Sequence, residues 1–241
     1  MNRVSDATKV VALGQTHWAD GQFVNINKLG PWLKGKGIIF VIDGIQSVGI
    51  IPTDVKAAEV DFLACGMYKW LLGPYGLGFL YVDEKYHEGP SLDATWMSRL
   101  GAEDFTQLTH YRDEFLEGAA RFSMGGKSSF IHVEMAIVAL EWVISQGVER
   151  LSQLIWQKTD LLAQFFTELG YPIIAPTLRA PHILSVQQKE GASWSEKQVQ
   201  FLLENKIYVS FRGNFLRISP HVYNTEKDIS YFMDLCLEGI L

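Results

Sequence analysis

Two side chains that can do chemistry each follow an apolar run of the sequence. Asp43 comes directly after residues 38–42, and Lys69 comes shortly after residues 62–65. Ligands of open parallel sheets bind outside the carboxyl ends of the strands, so both side chains are candidates for one ligand site. A buried lysine loses its proton more readily, and the neutral amine is the form that makes a Schiff base. The alternatives are a turn-capping Asp43 and a Lys69 that extends its charge into solvent.

An acid and an amine on neighbouring strands can hold one heterocycle from opposite sides. Asp43 would keep a ring nitrogen protonated, so that the ring acts as an electron sink, while Lys69 would hold an aldehyde carbon. The pair therefore indicates Schiff-base chemistry on a nitrogen heterocycle.

The apolar runs that lead to these residues predict an α/β fold. Runs at residues 10–13, 38–42, 62–65 and 78–82 are continuous rather than alternating. Such runs are typical of strands in a mostly parallel sheet that is covered on both faces. A short helix is predicted at residues 54–58, between the second and third runs.

The rest of the chain predicts long helices and a smaller α+β unit. The predicted elements are helices at residues 130–146 and 149–169, strands at residues 183–186, 208–211 and 215–218, and a final helix that begins near Asn224. We place the boundary so that residues 1–147 form the large domain with its linking helix. Residues 148–241 then form the small C-terminal domain.

Composition and charge exclude several classes of protein. The 241 residues carry 21 basic and 27 acidic side chains, a net charge of -6, without a basic cluster for nucleic acid. No run approaches the roughly 20 apolar residues of a membrane span. Cys65 and Cys236 lie far apart, without metal-ligand or disulfide spacing. We therefore expect a cytoplasmic protein with no metal, nucleic-acid or membrane partner.

Two segments of the sequence resemble nucleotide-binding motifs but lack features that these motifs require. Residues 126–128 (GKS) resemble the end of a P-loop, but Arg121 stands where its first glycine is needed and no apolar strand leads into it. The glycines of residues 73–78 precede a strand, whereas a dinucleotide-binding loop opens a helix. We therefore reject a nucleoside triphosphatase and a Rossmann dehydrogenase.

Five segments of the sequence resemble one family of enzymes. They are residues 41–49 (VIDGIQSVG), 68–74 (YKWLLGP), 76–82 (GLGFLYV), 121–126 (RFSMGG) and 216–225 (LRISPHVYNT). Their order, spacing and identity resemble the class V aminotransferase family, which includes cysteine desulfurases, kynureninase-like enzymes and isopenicillin-epimerase-like proteins. The resemblance implies a pyridoxal 5'-phosphate (PLP) enzyme of fold type I, whose incomplete major domain would be the predicted sheet.

The resemblance implies a role for each matching residue. Asp43 would pair with the ring nitrogen of PLP, and Gln46 would hydrogen-bond its phenolic oxygen. Lys69 would form the Schiff base and then carry protons at the substrate α-carbon. Arg217 would bind the substrate carboxylate through its planar guanidinium, although a surface arginine paired with an acid is the alternative. The resemblance also implies an amino-acid substrate and a homodimer, because complete members share active sites between subunits.

The sequence departs from the family pattern at several site positions. Gly66 and Tyr68 stand where many members have a small hydroxyl residue and a histidine that hold the phosphate. The Tyr68 phenol can still donate to phosphate. Gly126 stands where many members have a threonine, so its N–H is the remaining donor, with residues 127–129 as nearby substitutes. Trp18 fills the position of a desulfurase asparagine and is a candidate substrate-binding residue, with a packed aromatic turn as the alternative.

The reaction type is less constrained than the cofactor. A cysteine desulfurase needs a nucleophilic cysteine on a loop near the substrate-binding arginine. Cys65 belongs to a predicted buried strand, Cys236 to the packed face of a helix, and residues 212–217 contain no thiol. We therefore disfavour persulfide chemistry, while transamination, epimerisation and elimination at an amino-acid α-carbon stay open.

Family members carry a further section, on the order of 100 to 150 residues, ahead of the segment that matches Val10. That section supplies a glycine-rich phosphate loop and the residue that stacks on the cofactor ring. We therefore expect this sequence to be a fragment. The alternative function is a truncated, non-catalytic relic or one subunit of a split PLP enzyme.

Overall fold

The computed structural model describes residues 3–110, 112–127 and 129–239, except for the side chain of Leu108. The contacts divide the chain into two compact units. The first comprises residues 26–48 and 53–142 with the chain up to Leu13, and the second comprises residues 14–25 and 49–52 with the chain from Val143 onward. The predicted division at residue 147 stays a prediction.

A four-stranded sheet forms the centre of the first unit. Its strands, in spatial order, are β1 (Val10–Gly14), β2 (Ile39–Asp43), β3 (Phe62–Gly66) and β4 (Gly78–Val82). Strands β2 and β3 are parallel, with Asp43 opposite Ala64, whereas β3 and β4 are antiparallel. The predicted α/β class is confirmed, and the sheet is mixed and mostly parallel.

Strand β2 is fixed on one side by core packing and on the other by a buried acid. Phe40 and Ile42 are fully buried, as is Leu33 of the helix α1 (Ile26–Lys34). The Asp61 carboxylate accepts the N–H of Phe40 at 2.7 Å and forms an ion pair with Lys85. This bond holds the start of β2 beside the start of β3, so that the two strands end at the same edge of the sheet.

Gly30 marks the closest approach between α1 and the turn at residues 55–59. A Cβ atom on Gly30 would lie 1.7 Å from the carbonyl oxygen of Ala58, so the backbone would have to move. We expect Gly30→Ala to lower the free energy of unfolding, measured in urea, by roughly 1–3 kcal/mol.

The matched control for this prediction is Gly35→Ala, directly after α1. A Cβ atom there would meet its nearest neighbours at 3.5 and 3.6 Å, which is ordinary contact. We expect the control to change the free energy of unfolding by less than about 0.5 kcal/mol. Equal losses in the two variants would contradict the close approach at Gly30.

The short helix predicted at residues 54–58 is wrong, because this segment is a turn. The side chain of Asp54 accepts the N–H groups of Lys56 and Ala57, each at 3.0 Å. These are the bonds of an N-cap, and the N–H of Ala58 donates to the Asp54 carbonyl at 3.0 Å as in a first helical turn. Glu59, with a φ of 49°, leaves the right-handed helical region, so the segment stops after this turn. Between β4 and the next long helix, α2 (Phe130–Gln146), the described chain has only short 3₁₀ helices. They are Glu84–Tyr86, Trp96–Ser98, Phe105–His110 and Gly118–Phe122.

The second unit is the predicted α+β arrangement. Its elements are α3 (Val148–Glu168), β5 (Leu184–Gln187), α4 (Glu196–Glu204), β6 (Ser210–Arg212), β7 (Phe215–Ile218) and α5 (Glu226–Gly239). The sheet order is β5-β7-β6, and both pairings are antiparallel. One face of this sheet carries Leu184 and Leu216 into a core with Phe166 of α3 and Phe232 of α5. The other face carries Arg217.

The described residues also bear on membrane and metal binding. None of the single helices there is long and apolar enough to cross a membrane, and only α2 and α3 together pass by length and composition, across a sharp bend. Within the same residues, histidine, cysteine and acidic side chains form no group of three that could hold a metal ion.

Candidate functional site

Asp43 and Lys69 line one cavity of the first unit. The cavity has a volume of about 1010 Å³, and its lining includes the last residues of both β2 and β3. Tyr68 and Gly126 line the same cavity. Four of the residues predicted from the sequence therefore meet at the carboxyl ends of two parallel strands, where α/β sheets bind ligands.

Asp43 caps a turn and still presents its carboxylate to the cavity. Its Oδ1 atom accepts the N–H of Ile45 at 2.9 Å, while the N–H of Gly44 donates to the Ala64 carbonyl at 2.8 Å. The turn is thus tied to β3, and the side chain of Asp43 is exposed. The capping role and a role in ligand binding are compatible, because only one carboxylate oxygen takes part in the cap.

Lys69 lies in a tightly bonded turn after β3. The N–H of Leu72 donates to the Lys69 carbonyl at 3.0 Å, and the N–H of Gly73 donates to the Met67 carbonyl at 2.8 Å. Leu72 has a φ of 58°, in the left-handed region that a leucine rarely adopts. Lys69 is half-buried in this turn, and its ammonium lies 5.8 Å from the ring centroid of Tyr68.

The charges of both Asp43 and Lys69 affect the pKa of the Cys65 thiol. Burial, and then the Asp43 carboxylate, raise the pKa of its thiol to about 11, against the opposing effect of the Lys69 ammonium. Both charges therefore act across a short range on one side chain. The thiol itself stays protonated at neutral pH, and so does that of Cys236, whose pKa burial raises to about 12.

Gln46 does not line the cavity, although its side chain is held in one orientation. It is buried, and its Oε1 atom accepts the indole N–H of Trp70 at 2.9 Å. Because the oxygen is occupied, the amide nitrogen is the group left to act as a donor. A donor is what a phenolic oxygen requires. The bond spans 24 positions of the sequence, and the sequence analysis did not identify Trp70 as the partner.

Gly66 and Tyr68 depart from the family pattern together for a steric reason. A Cβ atom on Gly66 would lie 3.0 Å from a ring carbon of Tyr68 and 3.0 Å from Cδ1 of Ile45. The tyrosine ring therefore occupies the space that a hydroxyl residue at position 66 would need. The same ring stacks on Tyr75 at a centroid distance of 4.4 Å, and Tyr68 lines the cavity.

The segment around Gly126 brings polar groups to the cavity. Lys127 and Ser129 line it beside Gly126, while Ser128 lies outside the described residues. The N–H of Gly126 donates to the thioether sulfur of Met97 at 3.3 Å. A thioether is a weak acceptor, so an anion would compete well for this N–H.

Arg217 lies on the strand face of the second unit that is turned away from the core. Ser185 of β5 and Ser210 of β6 lie opposite it, and its Nε atom donates to Ser219 Oγ at 3.3 Å. Burial, and then the charge of Arg212, lower the pKa of its guanidinium. No acidic side chain of the described residues forms an ion pair with it.

Trp18 belongs to a tight turn in the second unit. The His17 ring of that turn is paired with Asp20 at 2.7 Å, while the Trp18 ring is half exposed. The guanidinium of Arg212 lies 5.8 Å from the centroid of the Trp18 ring. Arg212 is the residue that the sequence analysis missed, since its position depends on the register of β6 against β7. The two-residue connection between Arg212 and Phe215 was the signal for that register.

The fold and the cavity together define an α/β protein with a lysine and a carboxylate at one ligand site. The chain belongs to the class V aminotransferase family, since the model of the family "Aminotransferase class-V" matches residues 1–232. The predicted family is confirmed, and its cofactor, PLP, is the one that the resemblance implied.

The relatives and solved structures agree with this assignment. The chain is 28% identical over 232 residues to the uncharacterized aminotransferase YcbU of Bacillus subtilis, covering 96% of this chain and 60% of YcbU. It is 39% identical over 247 residues to a probable cysteine desulfurase of Pyrococcus abyssi, covering 95% of this chain and 59% of the relative. The chain therefore spans about 60% of the length of these curated relatives.

One solved structure with the same fold is that of C-DES with glycine covalently linked to its PLP cofactor. It superimposes with a TM-score of 0.84 at 23% identity, over 99% of this chain and 62% of C-DES. This likeness confirms the predicted fold class. The roles of the individual site residues stay predictions.

The donor set of the cavity fits PLP. A carboxylate suits the ring nitrogen and a lysine amine suits the aldehyde carbon. Polar groups of Tyr68, Gly126, Lys127 and Ser129 suit a phosphate. The volume of about 1010 Å³ also leaves room for a substrate beside a cofactor.

Proposed function

We propose that this chain forms the lysine-bearing part of a PLP-dependent enzyme that acts on the α-carbon of an amino acid. The observation that carries the proposal is that Asp43 and Lys69 line one cavity from the ends of neighbouring parallel strands. Membership in the class V aminotransferase family supports it.

Each residue that we assign to the cavity has a role that suits its side-chain chemistry. Bound PLP supplies a ring that takes up the electron pair left on the substrate α-carbon. Asp43 keeps the proton on the ring nitrogen. Lys69 would hold the aldehyde carbon, and its amine would move a proton at the substrate α-carbon.

Other side chains orient the cofactor and the substrate. Gln46 directly follows Ile45, which lines the cavity, and its amide, held by Trp70, would donate to the phenolic oxygen. Tyr68 and Lys127 bind the phosphate as a phenol and a cation. Arg217 binds the substrate carboxylate with its bidentate guanidinium, and Trp18 forms part of the substrate-binding surface.

The state of the two thiols argues against persulfide formation on a cysteine of this chain. The pKa of Cys65 is raised to about 11 and that of Cys236 to about 12, so neither is a thiolate at neutral pH. Transamination, epimerisation and elimination all begin with loss of a group from the α-carbon, and any of them suits the cavity.

The assembly is proposed to be a homodimer in the cytoplasm. Helix α2 supports a further contact surface, because several of its large apolar side chains are exposed: Phe130 (84%), Ile131 (75%) and Val138 (67%). Sedimentation at several concentrations of the 241-residue chain measures this association.

The experiment that tests the function is exchange of the amino-acid α-hydrogen in deuterium oxide, followed by proton NMR. It does not depend on which of the three reactions occurs. We expect the chain loaded with PLP to exchange the α-hydrogen of at least one amino acid well above the rate of free PLP. Binding of PLP without any exchange would favour the alternative, a non-catalytic relic or a subunit that needs a second polypeptide.

A further inference from the structure

Arg212 and Arg217 lie on the same face of the second unit's sheet. Arg217 is opposite Ser210 in the β6–β7 register. Side chains alternate between faces along a strand, so Arg212, two residues beyond Ser210, points to the face of Arg217. Such diagonal neighbours on antiparallel strands have Cα atoms roughly 7–8 Å apart, within reach of two long side chains.

The two guanidinium groups are not neutralised by acids of the described chain. Arg217 donates to Ser219 Oγ, and Arg212 donates to the carbonyl oxygen of Phe211. Arg179 of the same unit is buried and, as is usual for a buried arginine, forms an ion pair, here with the Asp160 carboxylate at 3.0 Å. The contrast bears on Arg217, which is half-buried, whereas Arg212 is exposed. Arg212 adds a second positive charge beside Arg217, and together they suit an anion that is not part of the described chain.

A serine and an aromatic ring lie beside the two arginines on this face. Ser185 lies beside Arg217 on β5, and its hydroxyl donates to the Ala19 carbonyl at 3.0 Å. That bond holds the turn of Trp18 over the same face. The Trp18 ring lies 5.8 Å from the Arg212 guanidinium, so the second cation has an aromatic neighbour rather than an acidic one.

We propose that Arg212 selects amino acids whose side chain carries a second anionic group, such as a carboxylate or a sulfonate. The inference rests on the proposed function, in which Arg217 binds the α-carboxylate. A substrate with one carboxylate would balance one of the two positive charges, whereas a dianionic substrate would balance both. Arg212 is thus a specificity-determining residue.

Calorimetric titration of the PLP-free chain with two acids of equal length tests the inference without chemistry on the cofactor. Glutarate carries two carboxylates, and valerate carries one. We expect glutarate to bind at least about ten-fold more tightly than valerate to the unaltered chain. In Arg212→Gln the affinities for glutarate and valerate should differ by less than about three-fold. The affinity for valerate itself should change little.

Arg150→Gln is the matched control, because it removes one positive charge from an exposed helix residue bonded to Gln146. We expect it to keep the preference for glutarate. Equal affinities for the two acids in the unaltered chain, or a full preference that survives Arg212→Gln, would overturn the inference.

The PLP-loaded chain separates this inference from the proposed function. Exchange of the α-hydrogen should be faster for glutamate than for norvaline, which has the same chain length, and Arg212→Gln should remove the difference. A glutarate preference without any α-hydrogen exchange supports the paired-arginine site and refutes the proposed function alone. Exchange of both amino acids at equal rates refutes the selectivity and leaves the proposed function standing.

Discussion

Replacing Lys69 with alanine should abolish covalent cofactor binding and lower α-hydrogen exchange by on the order of 10⁴-fold. The amine is at once the group that binds the aldehyde carbon and the group that moves the substrate proton. The half-buried Lys69 lines the cavity, and backbone bonds at the Lys69 and Met67 carbonyls hold its turn, so its removal should leave the fold intact. The rate of exchange and the mass of the borohydride-reduced protein measure the two effects.

Lys127→Ala is the matched control for that variant, since Lys127 lines the same cavity. In the proposed scheme this lysine contacts only the phosphate. We expect weaker PLP binding with covalent capture retained. Loss of covalent capture in Lys127→Ala but not in Lys69→Ala would reverse the assignment of the Schiff-base lysine.

Replacing Asp43 with asparagine should lower α-hydrogen exchange by on the order of 10²–10⁴-fold while covalent capture of PLP continues. A neutral amide cannot hold the ring nitrogen in its protonated form, so the ring becomes a poor electron sink. The amide oxygen can still accept the N–H of Ile45, which Asp43 accepts at 2.9 Å. The turn should therefore survive, and the loss should appear in the rate rather than in the stability.

Asp54→Asn controls for the change from carboxylate to amide. Asp54 also caps a turn, accepting the N–H groups of Lys56 and Ala57, but it does not line the cavity. We expect exchange at the unaltered rate. If the two variants exchange equally fast, Asp43 is only a turn cap.

The parts of the site that follow from local sequence were predictable. Continuous apolar runs identified β2 and β3, so Asp43 and Lys69 could be assigned to strand ends, and the structure brings both to one cavity. Strand β7 was predicted at residues 215–218 and is observed there, because Leu216 and Ile218 alternate with Arg217. These features depend on neighbours within a few positions.

The parts that depend on distant neighbours could not be predicted. The bond between Trp70 and Gln46 and the contact of Gly126 with Met97 join positions far apart in the sequence. The place of Arg212 beside Arg217 required the register of two strands, which a one-residue shift would reverse. The helix predicted at residues 54–58 was wrong because Glu59 has a φ of 49°, so the chain leaves the right-handed helical region after a single turn.

The most direct test of the central claim is to identify the lysine that binds PLP. The chain is incubated with PLP, reduced with borohydride, digested, and its peptides are sequenced by mass spectrometry. The account predicts a pyridoxyl group on Lys69 in stoichiometric yield. A group fixed to a different lysine, or an unlabelled Lys69 in protein that has bound PLP, would contradict it.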